Sequence, residues 1–217
     1  GVPQLSFEEI QAITEEARHA GIPTAAHAQG KEGVMNCLRA GVESIEHGVT
    51  LDDEQIELMV KQETFFCPTL AGLWYVIEKG VAAGIPPYVV EKCKLQAETH
   101  FSGFEKAYKA GVRILAGTDA GIPFTYQDDI AAEFVLMHRY GMPVREIITA
   151  ATYTPAQALR VDQKTGSIEA GKWADLTLME GDPEEDLEAF RRVRMVYKGG
   201  RLAYSRENGR DWFLPVL

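Results

Sequence analysis

Residues 22–48 read IPTAAHAQGKEGVMNCLRAGVESIEHG and contain two short apolar runs, the first reaching His27 and the second followed by His47. Each run is bounded by glycine and has the length of a buried strand, whereas the segment between them repeats apolar side chains at helical spacing. Strand, helix and strand in this order predict a βαβ unit with parallel strands. The predicted bounds are 22–28 for the first strand, 30–40 for the helix and 42–46 for the second strand.

The same alternation continues on both sides of this unit. A helix is predicted over 7–20, because Ser6 and Glu9 form a capping-box pattern and Gly21 ends the apolar repeat. Further strands are predicted over 64–69 and 112–116, further helices over 52–61, 88–110, 127–140 and 143–151, and a longer insertion between 69 and 88.

Four successive βα units are typical of a (β/α) barrel, in which right-handed crossovers place the helices outside the sheet. A complete barrel of this type needs eight strands and roughly 250 residues. The four strands predicted here therefore indicate half of an α/β barrel of the TIM type, over residues 1–158.

The sequence pattern changes after residue 158. A strand is predicted over 174–179, and the pair Gly199-Gly200 between two further apolar runs is a strong hairpin signal. Residues 159–217 are accordingly predicted to form a small β-rich tail.

The composition restricts the possible partners. The chain has 217 residues, with 22 Lys and Arg against 32 Asp and Glu, so its formal net charge is −10. This charge argues against nucleic-acid binding and against attraction to anionic membranes. Residues 1–20 carry many charges, so we expect no secretory signal there, and three widely spaced cysteines favour the cytoplasm.

Three polar side chains lie at the ends of predicted strands. His27 ends the first, His47 follows the second and Asp119 follows the fourth. Because the carboxyl ends of barrel strands meet at one face, we expect these side chains to converge there. Two imidazoles and a carboxylate are suitable ligands for Zn²⁺ or a similar divalent ion, which would activate a water molecule.

Other polar and aromatic residues allow two interpretations. Thr69, Trp74 and Tyr75 are candidates for substrate binding, although simple packing is the favoured interpretation for Thr69 and the aromatic pair could equally anchor the core or a lid. Glu46 either orients an imidazole or forms a salt bridge toward a helix. His100 is interpreted as an ordinary helix residue, as are His19 and His138.

Several segments resemble the amidohydrolase superfamily, in particular its imidazolonepropionase-like and prolidase-like branch. HAQGKEGVMNCLRAGVESIEHG (27–48) is similar to the region of its fifth and sixth strands, and AGVRILAGTDAG (110–121) to its eighth strand. ATYTPAQAL (151–159), GSIEAGKWADLTLMEGDPEEDL (166–187) and VYKGGRL (196–202) resemble its C-terminal tail, which completes a small β-sandwich. The resemblance implies strands five to eight of a (β/α)8 barrel.

The resemblance also implies a function. Family members hydrolyse amide or other C–N bonds with hydroxide activated by one or two metal ions, here held by His27, His47 and Asp119. Asp119 would also handle the proton of the attacking water, and His47 would help to polarise the carbonyl. The family's His-x-His motif belongs to its first strand and its bridging lysine to its fourth, so the resemblance implies that both would lie before residue 1. Lys31 and Lys61 lie in predicted helices and cannot replace that lysine. The second metal site would therefore need residues of a missing N-terminal half.

We therefore predict a zinc-type metal-dependent hydrolase acting on a dipeptide or an N-acyl amino acid, with the N-terminal half of the same protein and further copies of itself as partners. A cyclic amidohydrolase resembling imidazolonepropionase, or a deaminase, is the alternative within the enzymes. A non-catalytic half-barrel that serves as an interaction module is the alternative outside them.

Overall fold

The computed structural model describes residues 2–206, which form a four-stranded parallel sheet, a three-stranded antiparallel sheet and surrounding helices. The parallel sheet has the order β1-β2-β3-β4. Its strands are β1 (Ala25–Ala28), β2 (Ser44–His47), β3 (Phe65–Cys67) and β4 (Arg113–Ile114). The helices are α1 (Phe7–Ala20), α2 (Lys31–Arg39), α3 (Asp53–Gln62), α4 (Leu70–Lys79), α5 (Pro87–Ala110), α6 (Ala131–Arg139), α7 (Val144–Ala151) and α8 (Tyr153–Ala158).

The alternation of strands and helices predicted from the sequence is confirmed, and so is the start of α1. The Glu9 backbone N–H donates to the Ser6 hydroxyl at 3.3 Å, and the Glu9 carboxylate accepts the Ser6 backbone N–H at 2.8 Å. Gly21 ends the helix with a φ of 70°, a left-handed conformation that glycine adopts without strain. The strands are shorter than predicted, since each ends or begins one to three residues inside the expected bounds.

The insertion predicted after β3 contains a helix, α4, that the sequence analysis did not assign. Its sequence, LAGLWYVIEK, is apolar on most sides and therefore lacks a clear helical stripe. The helix packs against both α5 and α6, so burial on two sides explains why its pattern looks unlike an ordinary surface helix. The helix predicted over 127–140 likewise begins only at Ala131, because turns occupy the preceding residues.

The two faces of the parallel sheet differ. Ile45, Phe66 and Ile114 are register partners on adjacent strands, and all three belong to the main core beneath the helices. The opposite face carries Glu46 and Cys67, also register partners, which line a cavity of about 250 Å³. Helices therefore pack on one face of the sheet, while the other face borders this cavity.

The tail forms an antiparallel sheet of β5 (Leu176–Met179), β6 (Val193–Lys198) and β7 (Arg201–Ser205). The hairpin predicted at Gly199-Gly200 is confirmed, since both glycines have positive φ between β6 and β7. The predicted tail extends to residue 217, so its last part lies outside the described residues. Within residues 2–206, no helix combines the length and apolar character needed to cross a bilayer.

Candidate active site at the strand ends

The structure brings His27 and His47 into contact. Their strands are adjacent and parallel, with Ala28 opposite His47 in the register. The two imidazole rings lie edge to face, with centroids 4.5 Å apart and an interplanar angle of 69°. The prediction that these two histidines converge is therefore confirmed by their geometry.

The backbone departs from extended conformation where the candidate residues lie. His47, Thr69 and Asp119 have φ angles of 76°, 53° and 55°, in the left-handed region that non-glycine residues rarely adopt. Each such residue carries a conformational cost of roughly 1–2 kcal/mol. Strain of this kind persists where surrounding contacts enforce it, and it concentrates at functional sites.

His47 is buried, and its Nδ1 atom lies 2.7 Å from the hydroxyl oxygen of Thr69. Burial lowers the pKa of His47, and the neighbouring His27 lowers it further, whereas Asp119 and Glu46 act in the opposite direction. The net effect favours neutral imidazole, which is the form that binds a metal ion.

The donor set fits a divalent ion in part. Two imidazoles in contact and a nearby carboxylate are ligand types that zinc and similar ions prefer. Within residues 2–206, however, no group of three or more His, Cys, Asp or Glu side chains is arranged to hold a metal ion. His27, His47 and Asp119 thus do not form a complete ligand group within the described residues.

Thr69, Trp74 and Tyr75 lie on one segment at the start of α4. The rings of Trp74 and Tyr75 lie edge to face with centroids 5.0 Å apart. The Tyr75 hydroxyl donates to Asp129 at 2.7 Å, and the same carboxylate pairs with Arg191 at 2.9 Å. Tyr75 therefore connects α4 to the end of the loop that carries Asp119.

Glu46 precedes His47 in β2 and lies on the face of the sheet that borders the cavity of about 250 Å³. Its Cα atom is the register partner of His27, and its carboxylate accepts a hydrogen bond from the Ser44 hydroxyl at 2.5 Å. This contact fits neither sequence interpretation, since Ser44 belongs to the same strand. The negative charge of Glu46 nevertheless acts to raise the pKa of His47, because it favours the protonated ring.

Two buried polar residues near the site were not predicted to belong to it. Glu133 of α6 accepts the backbone N–H groups of Leu70 and Ala71 at 2.9 and 2.7 Å. His100, taken from sequence as an ordinary helix residue, lies with its Nε2 atom 2.9 Å from the Pro68 carbonyl. The sequence signal for Glu133 was a single acid within the apolar helix AAEFVLMHR.

A cavity of about 820 Å³ lies beside β1. Its wall includes His27 together with apolar residues of α1 and of the segment before it, such as Leu5 and Ile10. In the described part of the chain β1 pairs only with β2, so its other edge is free. A free edge of this kind is the usual place for another strand to pair.

Comparison with known proteins places these features in context. The family model described as "Amidohydrolase family" matches residues 1–203. Ochratoxinase of Aspergillus niger is 36% identical over 208 residues, covering 92% of this chain and 42% of that protein. Imidazolonepropionase of Thermoplasma acidophilum is 25% identical over 210 residues, covering 93% of this chain and 46% of that protein.

Solved structures show the same relationship. The crystal structure of a Xaa-Pro dipeptidase with bound methionine in its active site superposes with a TM-score of 0.86 at 39% identity. That match covers 94% of this chain and 50% of the dipeptidase. This chain thus spans about half the length of the relatives that it matches.

Proposed function

Because this chain belongs to the amidohydrolase family, we propose that it is part of a metal-dependent hydrolase that cleaves an amide or peptide-like C–N bond. The observation that carries the proposal is the contact between the His27 and His47 rings at adjacent strand ends, with Asp119 on the segment that follows β4 of the same sheet. The similarity to a Xaa-Pro dipeptidase and to ochratoxinase favours a dipeptide or an N-acyl amino acid as substrate.

The proposed architecture is the second half of a (β/α)8 barrel over 1–158, followed by a tail over 159–217 that contributes to a composite β-sandwich. The free edge of β1 and the cavity beside it are where the N-terminal half of the same protein would pair. The relatives are about twice as long as this chain, which supports the existence of such a half. We also propose that the protein associates with copies of itself and is located in the cytoplasm.

In the proposed site, His27, His47 and Asp119 would hold a divalent ion, zinc or a similar metal, and a second ion would need ligands from the other half. When bound, such an ion polarises the scissile carbonyl and lowers the pKa of water. The carboxylate of Asp119 accepts the proton of the attacking water and then delivers it to the leaving nitrogen. His47 stays neutral because of burial, and Thr69 fixes the orientation of its ring.

The start of α4 would form one wall of the substrate pocket. Thr69 lies against His47, and the edge-to-face pair of Trp74 and Tyr75 follows on the same helix. Aromatic rings offer an apolar surface for the side chain of a dipeptide or an acyl group. The Tyr75 hydroxyl is already bonded to Asp129, so its ring, rather than its hydroxyl, is available to a substrate.

The test is Asp119→Asn in the complete enzyme, assayed with a panel of dipeptides and N-acyl amino acids after metal loading. We expect turnover to be lost while the circular dichroism spectrum is unchanged. Asp128→Asn is the matched control, since Asp128 is an exposed acid on the same loop. A near-normal kcat in Asp119→Asn would refute the assignment.

The similarity to imidazolonepropionase supports one competing activity, the opening of a cyclic amide. Cyclic amides in the same substrate panel separate the two activities, because a dipeptidase releases free amino acids from linear substrates only. The metal content of the complete protein separates both from a non-catalytic interaction module, which would bind no ion.

A further inference from the structure

Thr69 is a strained residue in an unusual role. It is the residue that precedes the first turn of α4, and it adopts a left-handed conformation with φ 53° and ψ 46°. A β-branched residue in this region is a genuine outlier. A threonine at this position normally accepts a backbone N–H of the first helical turn with its hydroxyl oxygen. Here α4 has no such side-chain cap from Thr69, because the hydroxyl lies 2.7 Å from His47 Nδ1.

The first two N–H groups of α4 are bound from another helix, and a capping Thr69 would serve only the second of them, that of Ala71. Glu133, a fully buried residue of α6, places one carboxyl oxygen on the Leu70 N–H and the other on the Ala71 N–H. A negatively polarised group at this end of a helix is also favoured by the helix dipole. Burial raises the pKa of Glu133 to about 8, because the charged carboxylate loses its hydration inside the protein.

The residue before Thr69 is held as well. His100 of α5 lies with Nε2 2.9 Å from the carbonyl oxygen of Pro68, and it is almost completely buried. The strained residue is therefore fixed on both sides, by His100 at position 68 and by Glu133 at positions 70 and 71. Contacts of this kind are what a left-handed threonine needs in order to persist.

We propose that Glu133 is a positioning residue for His47, because it takes over the capping of α4 and so leaves the Thr69 hydroxyl free to hold Nδ1 of His47. The proposal deepens the proposed function, on which it depends for the role of His47. A hydrogen bond at one ring nitrogen selects which nitrogen carries the proton. The positioning role requires that Nδ1–H donates to Thr69, because the lone pair of Nε2 is then left available to a cation.

Replacing Glu133 by Gln tests this arrangement. The amide oxygen still accepts one backbone N–H, but the amide NH₂ group faces the other N–H as a second donor. The Thr69 hydroxyl then becomes the best available acceptor for the abandoned N–H, and it turns away from His47. We expect the tautomer ratio of His47 to change roughly fivefold, the factor that one net hydrogen bond is worth.

The measurement is ¹⁵N NMR of the histidine-labelled, metal-free protein, with the His47 signals assigned from a His47→Asn variant. The wild type is expected to show protonated Nδ1, and Glu133→Gln a mixture of both tautomers. Met137→Ala is the matched control, because it removes a buried side chain one turn further along α6. Thr69→Val and Thr69→Ser give the limits of the tautomer ratio, since valine lacks the hydroxyl and serine keeps it.

An unchanged tautomer ratio in Glu133→Gln would overturn the proposal, as would an equal change in Met137→Ala. If Glu133→Gln fails to fold, Glu133→Asp is measured in its place, because its shorter side chain keeps the carboxyl group but cannot reach both N–H groups. The readout needs neither metal nor substrate. If Glu133→Gln shows the expected tautomer shift but the wild-type protein hydrolyses none of the substrates, the hydrolase function is contradicted and the positioning role of Glu133 is not.

Discussion

The contact between Gly117 and Cys67 leads to a quantitative prediction about how the Asp119 loop joins the sheet. Gly117 lies two residues before Asp119, and a Cβ atom added to it would be 2.6 Å from the Sγ atom of Cys67. Cys67 is buried at the end of β3 and leaves little room for movement. Gly117 itself has no positive φ, so the alanine backbone would be unstrained.

The expected energies follow from this geometry. Gly117→Ala inserts a methyl group into a filled space, which should lower the free energy of unfolding by about 1–3 kcal/mol. Cys67→Ala removes one buried heavy atom and should lower it by about 1 kcal/mol. In the double variant the new methyl group occupies the space that the sulfur vacates, so the stability should return to within about 1 kcal/mol of the wild type.

Urea denaturation at equilibrium measures all four members of this cycle, and equal m-values show that the same surface is exposed on unfolding. The coupling free energy is expected to be about 2 kcal/mol in the compensating direction. If the effects of the two single variants add to within about 0.5 kcal/mol, the end of β3 and the start of the Asp119 loop are not in contact, and the placement of Asp119 would have to be revised.

Two further predictions concern the surroundings of the site. The pKa of Glu133 is raised from 4.5 to about 8 by burial, so the folded protein binds more protons than the unfolded chain between these values. The stabilisation from this group is thus complete below pH 4.5 and is lost as the pH rises to 8, by about 4–5 kcal/mol. Urea denaturation from pH 5 to 9 should show this decrease in the free energy of unfolding of the wild type. If the same decrease persists in Glu133→Gln, it does not come from the carboxyl group of Glu133. Tyr75→Phe removes the hydrogen bond to Asp129 and should lower the free energy of unfolding by about 1 kcal/mol, with KM nearly unchanged. A large rise in KM without loss of stability would instead show that the hydroxyl contacts substrate.

Much of the candidate site could be predicted because its residues follow strands. The carboxyl ends of parallel strands share one edge, so His27 and His47 had to approach one another once the βαβ pattern was recognised. The alternation itself came from local signals, such as the capping box at Ser6 and the hairpin glycines at 199 and 200. Signals of this kind depend on neighbouring residues and need no knowledge of the rest of the molecule.

The helix α4 could not be predicted in the same way. Its apolar residues are buried against α5 and α6, so the two-sided environment that stabilises it appears only after those helices have packed. The left-handed conformation of Thr69 has the same origin, since it is enforced by Glu133 and His100. Neither residue carries a sequence signal that connects it with Thr69.

The sequence by itself determined how β1 to β4 alternate with α1, α2, α3 and α5, and that two imidazoles and a carboxylate lie at or after strand ends, because these depend on periodicity and on short-range turn chemistry. Only the tertiary structure decided which groups hold those side chains in place. Glu133 reaches the Leu70 N–H across 63 positions of sequence, and Thr69 meets His47 across 22. Hydrogen bonds between such distant residues are set by how the helices pack on the sheet, which no local pattern records.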